Sequence, residues 1–262
     1  QDVVTGTQSN FETSGGFGPN QVSTILGLGI FIFFVQLMLN SSNGLLQIIN
    51  GALVLVFTFR GLVTFSRGGI YTGVAMVLLL LAILYFQANF QTKPKIAGII
   101  LLSFLAALAV WSYSSIKTNG LLDKRYANQD AAGREKKSQL SGREILIESE
   151  LKMFYENPIL GVGVGKNKEL RKSQTGIDLA THNEITRMLA EHGTLGIVGL
   201  LILVITPLYL FLVDRQNILA LSFFVFWLLT INHAAMRLSA PAFIYALSLL
   251  KVYREAPAIH RK

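Results

Sequence analysis

Charged residues are missing from five long runs of the chain, 13–59, 70–92, 96–116, 193–213 and 216–236. An α-helix needs about 20 consecutive apolar residues to cross the hydrocarbon core of a bilayer, and these runs meet that length. Polar and glycine-rich breaks divide them into seven predicted spans: 22–39, 45–64, 70–90, 96–116, 194–213, 218–234 and 238–253. Lys251 in the last and shortest span sits near its end, where a long side chain snorkels to the interface. Only helices satisfy their own backbone in lipid at these lengths. The pattern therefore predicts an all-α polytopic membrane protein with about seven transmembrane helices.

Composition agrees. Of 262 residues, 52% are hydrophobic and 15% charged, against roughly 25% charged in soluble domains. The net charge of +8 alone would admit a nucleic-acid partner, but its confinement to loops and ends argues for a bilayer instead. Cysteine is absent, which excludes a disulfide scaffold and is neutral about redox compartment. The start is not basic and shows no small-residue cleavage site, so no signal peptide is read. Without an initiator Met, the chain reads as a processed or excised piece.

Lys and Arg in the short loops set the orientation. One side receives Lys93, Lys95, Arg215, Lys251, Arg254, Arg261 and Lys262, and the other Arg60, Arg67 and Arg237. The first side is therefore read as cytoplasmic, with the N-terminus outside and the C-terminus inside. The long hydrophilic stretch 117–192 then lies outside. Three regions follow: helices 1–4 in 1–116, the extracytoplasmic loop 117–192, and helices 5–7 with a cytoplasmic tail in 193–262.

The loop carries its own signals. Ser141-Gly142-Arg143-Glu144 fits a capping box, followed by Ile147, Leu151, Phe154 and Tyr155 at helical spacing, with Glu148, Glu150 and Lys152 on other faces. This predicts an amphipathic helix along the membrane surface, ending before Asn157-Pro158. Thr181-His182-Asn183-Glu184 fits a second box, opening a helix through Ile185, Met188 and Leu189. His182 would then stand in the first helical turn, where the dipole disfavours the imidazolium and a neutral ring can take a proton from a hydroxyl. A surface loop histidine is the plainer alternative. Gly161-Val162-Gly163-Val164-Gly165-Lys166 misses the P-loop spacing and lacks the following Ser or Thr. It reads as a tight turn requiring positive φ, or as a glycine-lined contact for an anion or sugar.

The histidines show no close metal-ligand spacing, so no metal is expected. His233 reads as a helix-packing hydrogen-bonder. Glycines 69, 73, 193, 196 and 199 read as close helix packing. Ser66-Arg67-Gly68-Gly69 lies at the outer end of the second span, with Arg60 two helical turns earlier on the same face. Arginine at that depth snorkels to the interface or meets a phosphate, for which its fork is suited.

Taken in order, these fragments resemble the O-antigen ligase/polymerase superfamily. Phe17-Gly18-Pro19-Asn20 is similar to the family's NPN-like opening of a membrane helix, and Ser66-Arg67-Gly68-Gly69 to its SRG turn. Gly142-Arg143-Glu144 followed by 157–163 resembles its R…W…NPxxGxG stretch, with Ile145 or Leu146 where Trp is usual. Thr181-His182-Asn183-Glu184 followed by 191–196 resembles its HN…L…E.G..G signature. Members usually have ten or more spans, so the chain reads as the C-terminal portion of such a protein.

The resemblance implies a GT-C-like glycosyltransferase without metal or cofactor. It would polymerise or ligate an oligosaccharide carried on undecaprenyl diphosphate, for O-antigen, capsule or exopolysaccharide, on the extracytoplasmic face. Its partners would be that donor, a glycan or lipid acceptor and the bilayer, with no nucleic acid. Arg67 and Arg143 would hold the diphosphate and His182 would activate the acceptor, supported by Arg60, Asn183, Glu191, Gly161 and Gly163. The alternative is a transporter of the same superfamily, of the inorganic-carbon type. The uncharged mid-span positions speak against it.

Overall fold

The computed structural model describes residues 6–136, 144–179, 181–233 and 238–252. Its order is α1 (Pro19–Val35, continued by a π-helical turn Gln36–Asn40), α2 (Gly44–Val63), α3 (Arg67–Gln87), α4 (Lys93–Lys117), α5 (Leu121–Tyr126), α6 (Glu144–Glu156), α7 (Lys166–Thr175), α8 (Glu184–Val213), α9 (Ala220–Thr230) and α10 (Ser239–Ser248). No strand occurs among the described residues; Gln129 and Glu135 form an isolated bridge.

Five helices, α1 to α4 and α8, are long and apolar enough to cross a membrane. The predicted sixth and seventh spans are instead α9 and α10, of 11 and 10 residues. At 1.5 Å per residue each reaches about 16 Å, roughly half the hydrocarbon core. Polar groups set their limits. The Asn217 side chain accepts from Leu219 N (3.2 Å) before α9, His233 N turns back to Thr230 O (3.1 Å) after it, and Pro241 lies in the first turn of α10.

The centre of the molecule is α1 packed on α3. A Cβ on Gly27 would fall 2.1 Å from the Gly69 carbonyl oxygen, and one on Gly69 equally close to Ser23 O. The two backbones therefore touch, the close approach that small residues permit inside a membrane. Around the seam Phe31, Phe34, Met76, Leu80, Phe226 and Ile244 form a core to which α9 and α10 contribute. Ser222 Oγ of α9 donates to Met76 O of α3 (3.0 Å), so a hydroxyl buried at lipid depth is satisfied. α2 leans on α1 through Phe57, edge-on to Phe33 at 5.3 Å. α4 stands at the rim with Leu101, Leu102, Phe104 and Leu105 exposed, as a lipid-facing helix does.

In the loop, α6 is present but turned about its axis. Leu146, Glu150 and Met153 form its buried face, in place of the predicted Ile147, Leu151, Phe154 and Tyr155. Buried donors from Asn167, Arg171 and Thr186 draw Glu150 inward and outweigh the apolar stripe. The polar helix α7 carries no apolar periodicity that predicts it.

Candidate functional site

The ends of α1, α2, α3, α4 and α9 that meet the loop lie together. α2 stops at Val63, Thr64 Oγ1 folds back onto Gly61 O (2.7 Å), and Phe65 takes a left-handed φ of 57° while fully buried. Ser66 is then anchored by α1: its hydroxyl donates to Asn20 Oδ1 (2.7 Å) and its carbonyl accepts from Ser23 Oγ (2.8 Å). Two of the sequence fragments, Gly18-Pro19-Asn20 and Ser66-Arg67-Gly68, thus form one joint, and α3 opens on Arg67. This break also corrects the placement of Arg60. It is exposed on α2, and the reversal at 64–66 means that it shares no continuous helical face with the half-buried Arg67. His233 leans its ring on Gly68, with Nε2 3.2 Å from Thr24 Oγ1 and Nδ1 2.8 Å from Leu229 O. It packs helices together, as read.

Two cations that the sequence did not single out come to the same place. α5 turns back under the membrane end of α4, and Arg125 Nε donates to Phe65 O at 2.9 Å. Lys136 Nζ donates to Thr7 Oγ1 at 2.8 Å. Burial lowers the Lys136 pKa, and the charges of Arg125 and Arg67 lower it further while Asp130 opposes them. Burial raises the Tyr126 phenol well above its usual range, Tyr71 adds to this, and Arg67 and Arg125 pull it down. Arg67, Arg125 and Lys136 therefore share one electrostatic neighbourhood. Tyr71, Tyr126 and Trp111 wall it, with ring centroids 5.8 Å apart for Tyr71–Tyr126 and 4.7 Å for Trp111–Tyr126. Such a clustering of half-buried cations has the charge to pair with an anion of more than one charge.

The glycine loop is a tight turn docked on a kink. Gly161, Gly163 and Gly165 have φ of 69°, 95° and 76°, the positive values expected. Val162 N donates to Ala190 O (2.8 Å) and Gly163 N to Glu191 O (3.1 Å). A Cβ on Gly161 would lie 2.4 Å from the Glu191 carbonyl carbon. Gly193 breaks α8 with φ 60° and ψ −137°, leaving an extramembrane part before it and the apolar part after it. Thr194 closes the joint, its N donating to Pro158 O (2.8 Å) and its hydroxyl to Ile159 O (3.0 Å). Gly193 and Gly196 thus serve the bend, the latter against Met188 O, rather than packing between helices, while Gly69 and Gly73 do line the α1–α3 contact.

At the start of α8 the cap is Asn183, not Thr181. Asn183 Oδ1 accepts from Ile185 N (2.9 Å) and Thr186 N (3.3 Å), while Thr181 Oγ1 accepts from Asn183 N (3.3 Å) in a turn one step upstream. His182 accordingly stands just before the helix instead of in its first turn. It is half-buried, with Nδ1 shielded from solvent. Glu184 N donates to Ile231 O (2.9 Å), and His233 follows shortly on that turn, so α9 joins the start of α8 to the start of α3. Arg187 holds two carboxylates, Glu184 through Nη1 (3.4 Å) and Glu191 through Nε (3.2 Å). Glu191 is buried, and its Oε1 has no hydrogen-bond partner among the described residues. Arg143 and the Ser141 capping box lie outside the described residues. Among the described residues no cluster of three or more His, Asp or Glu is placed to hold a metal ion.

No curated protein and no solved structure was found to match the chain. The family model for the O-antigen ligases (Wzy_C) matches residues 51–204, from within α2 through the loop into the apolar part of α8, and so covers the site elements above except Thr7, the residues of the α1 end (Gly18 to Asn20, Ser23 and Thr24) and the end of α9. That match takes in more than half of the chain, and the protein belongs to the O-antigen ligase family of membrane proteins, whose chemistry is of the glycosyl-transfer type.

Proposed function

We propose that the protein transfers an oligosaccharide from undecaprenyl diphosphate to a glycan or lipid acceptor on the extracytoplasmic face of the bacterial cytoplasmic membrane. The observation that carries this reading is the cation cluster of Arg67, Arg125 and Lys136 at the same helix ends as the turn bearing His182. In the step envisaged, the acceptor hydroxyl attacks the sugar carbon bonded to the diphosphate. The new glycosidic bond forms as the carbon–oxygen bond to phosphate breaks, the hydroxyl proton passes to His182, and polyprenyl diphosphate leaves. Negative charge grows on the leaving diphosphate, where fixed guanidiniums stabilise it most. Arg67 and Arg125 supply that charge, and Arg143 is assigned the same role from the sequence. Gly161 and Gly163 let the loop lie on Glu191 and so hold it against α8. No step calls for a metal or cofactor.

The test is direct. Membranes holding the protein are given a polyprenyl-diphosphate-linked oligosaccharide and an acceptor, and free polyprenyl diphosphate is measured. Release that depends on acceptor and is lost in Arg67→Ala supports the reading. Acceptor-independent release, or release unchanged in that variant, overturns it.

A further inference from the structure

Glu150 and Arg171 form an ion pair at 3.1 Å with both side chains wholly enclosed. Nothing in the glycosyl-transfer reading uses either residue. Glu150 Oε1 also accepts from Asn167 Nδ2 (3.1 Å), and its Oε2 from Thr186 Oγ1 (2.6 Å). Arg171 Nη2 donates to the Leu179 carbonyl. Burying two charges is costly, and an apolar pair of the same shape is often as stable or more so. Arg171 Nε, moreover, has no hydrogen-bond partner among the described residues. Net stability is therefore a poor account of the pair. Fixed geometry is a better one.

The partners show which geometry is fixed. Leu179 precedes the turn that bears His182, and Thr186 follows it in the first turn of α8. One ion pair thus grips both sides of the turn, the upstream side through Arg171 and the downstream side through Glu150. Among the described residues the turn is held as well by the Thr181–Asn183 hydrogen bonds, the Asn183 cap, the Glu184 N–Ile231 O bond and the Arg187–Glu184 pair, while Lys168 and Lys172 on Asp178 at 2.9 and 2.8 Å are exposed and weak. Glu150 lies on α6, Arg171 on α7 and Thr186 on α8, so the clamp joins three helices around the turn that bears the one residue assigned to acid–base chemistry.

We propose that Glu150 and Arg171 are positioning residues that hold His182 in place for the acceptor. The inference rests on the assignment of His182 as base. It is tested with Thr186→Val, which removes one hydroxyl at constant volume, and Glu150→Gln. Purified protein is treated with diethyl pyrocarbonate, and modification of His182 and His192 is followed by mass spectrometry alongside kcat and the acceptor KM. Loss of the clamp should raise His182 modification about tenfold with His192 unchanged. It should lower kcat by up to about 10²-fold with little change in KM, the effect of displacing a reacting group by about 1 Å. Parent-like His182 reactivity and kcat in both variants would overturn the proposal. So would equal rises at His182 and His192, because the pair would then support only the fold. A parent-like kcat in His182→Ala would sink the assignment of the base instead, leaving the modification result to stand on its own.

Discussion

Arg125 donates its Nε hydrogen to the carbonyl of Phe65 at 2.9 Å, and Phe65 is a buried residue held at φ 57°. A left-handed residue other than glycine costs about 1–2 kcal/mol, so the turn persists because its surroundings define it. Arg125 satisfies the carbonyl that this conformation exposes, Ser66 is locked to Asn20 and Ser23, and Arg67 leaves the turn as the first residue of α3. The second cation of the cluster thereby sets the direction of the first.

Replacement of either arginine by lysine should separate these roles. A lysine ammonium keeps the charge but not the planar fork. Arg67→Lys is expected to raise the KM for the lipid-linked donor and to lower kcat/KM by at least about tenfold, the loss of one charge-assisted contact. Arg125→Lys should do the same less severely, and Arg60→Lys should leave kcat/KM at the parent value, because Arg60 is exposed on another helix. Steady-state kinetics in detergent or proteoliposomes measure all three. Parent kinetics for Arg67→Lys would return that residue to interfacial anchoring.

The kink at Gly193 gives a second prediction. A Cβ there would lie 2.6 Å from the carbonyl oxygens of Pro158 and Ile159, at a φ of +60°. Gly193→Ala should therefore push the 158–163 loop off α8 and abolish transfer while the protein still inserts in the membrane. Gly199→Ala, where the nearest atom is the flexible end of Met188 at 3.6 Å, should be tolerated. Transfer activity normalised to membrane protein level decides, and activity in Gly193→Ala would refute the docking.

Much of this was legible in the sequence, and the parts that were not share a cause. Charge-free runs locate α1 to α4 and the apolar part of α8, because lipid length alone fixes them. The glycine loop was legible as a positive-φ turn. Periodicity misplaced the inner face of α6, since Glu150 is drawn inward by Arg171, Asn167 and Thr186 from other elements. α7 was not predicted because it is polar nearly all round, with Asn167 and Arg171 buried. The cap of α8 shifted from Thr181 to Asn183 because both side chains fit a cap and only the backbone path chooses between them. Arg125 and Lys136 belong to no sequence motif; the return of α5 towards Phe65 gives Arg125 its place, and the bond to Thr7 gives Lys136 its own. A basic residue beside Tyr126, a few positions beyond the span 96–116 that carries Trp111, is the one available hint.

Lys136 should reveal a conflict between stability and binding. Burial and the charges of Arg125 and Arg67 lower its pKa, so the folded protein holds this proton more weakly than the unfolded chain does. The penalty is complete below the lowered pKa and disappears as pH rises through the ordinary lysine value of about 10.4. Lys136→Gln should accordingly raise Tm at pH 7 and weaken donor binding, with the Tm difference shrinking as the pH becomes alkaline. A thermal melt series across pH measures this. A lower Tm at pH 7 would mean that the bond to Thr7 outweighs the repulsion.

Orientation is testable because the chain has no cysteine. Ser173 on α7 and Gln216 before α9 are both exposed and belong to opposite ends of the molecule. A cysteine at 173 should react with an impermeant maleimide in intact cells, and one at 216 only after lysis. The reverse pattern would put the cation cluster and His182 in the cytoplasm.

His182 carries the last prediction. Its turn lies between Leu179 and Thr186, both tied to the buried pair, and beside the α9 end that leads to Gly68 and Arg67. His192 lies at the far end of the extramembrane part of α8, against the Gly161 turn. Removing a general base costs about 10²–10⁴ in rate. His182→Ala should therefore abolish visible glycan product, whereas His192→Ala should only reduce it through the loop contact. His182→Gln, which keeps a hydrogen-bonding side chain but has no basic nitrogen, should be as inactive as the alanine variant. The measurement is the glycan ladder made by cells that depend on each variant, with membrane levels matched by blotting. A normal ladder in His182→Gln would show that hydrogen bonding without proton uptake suffices, and the acceptor proton would then have to leave through another group.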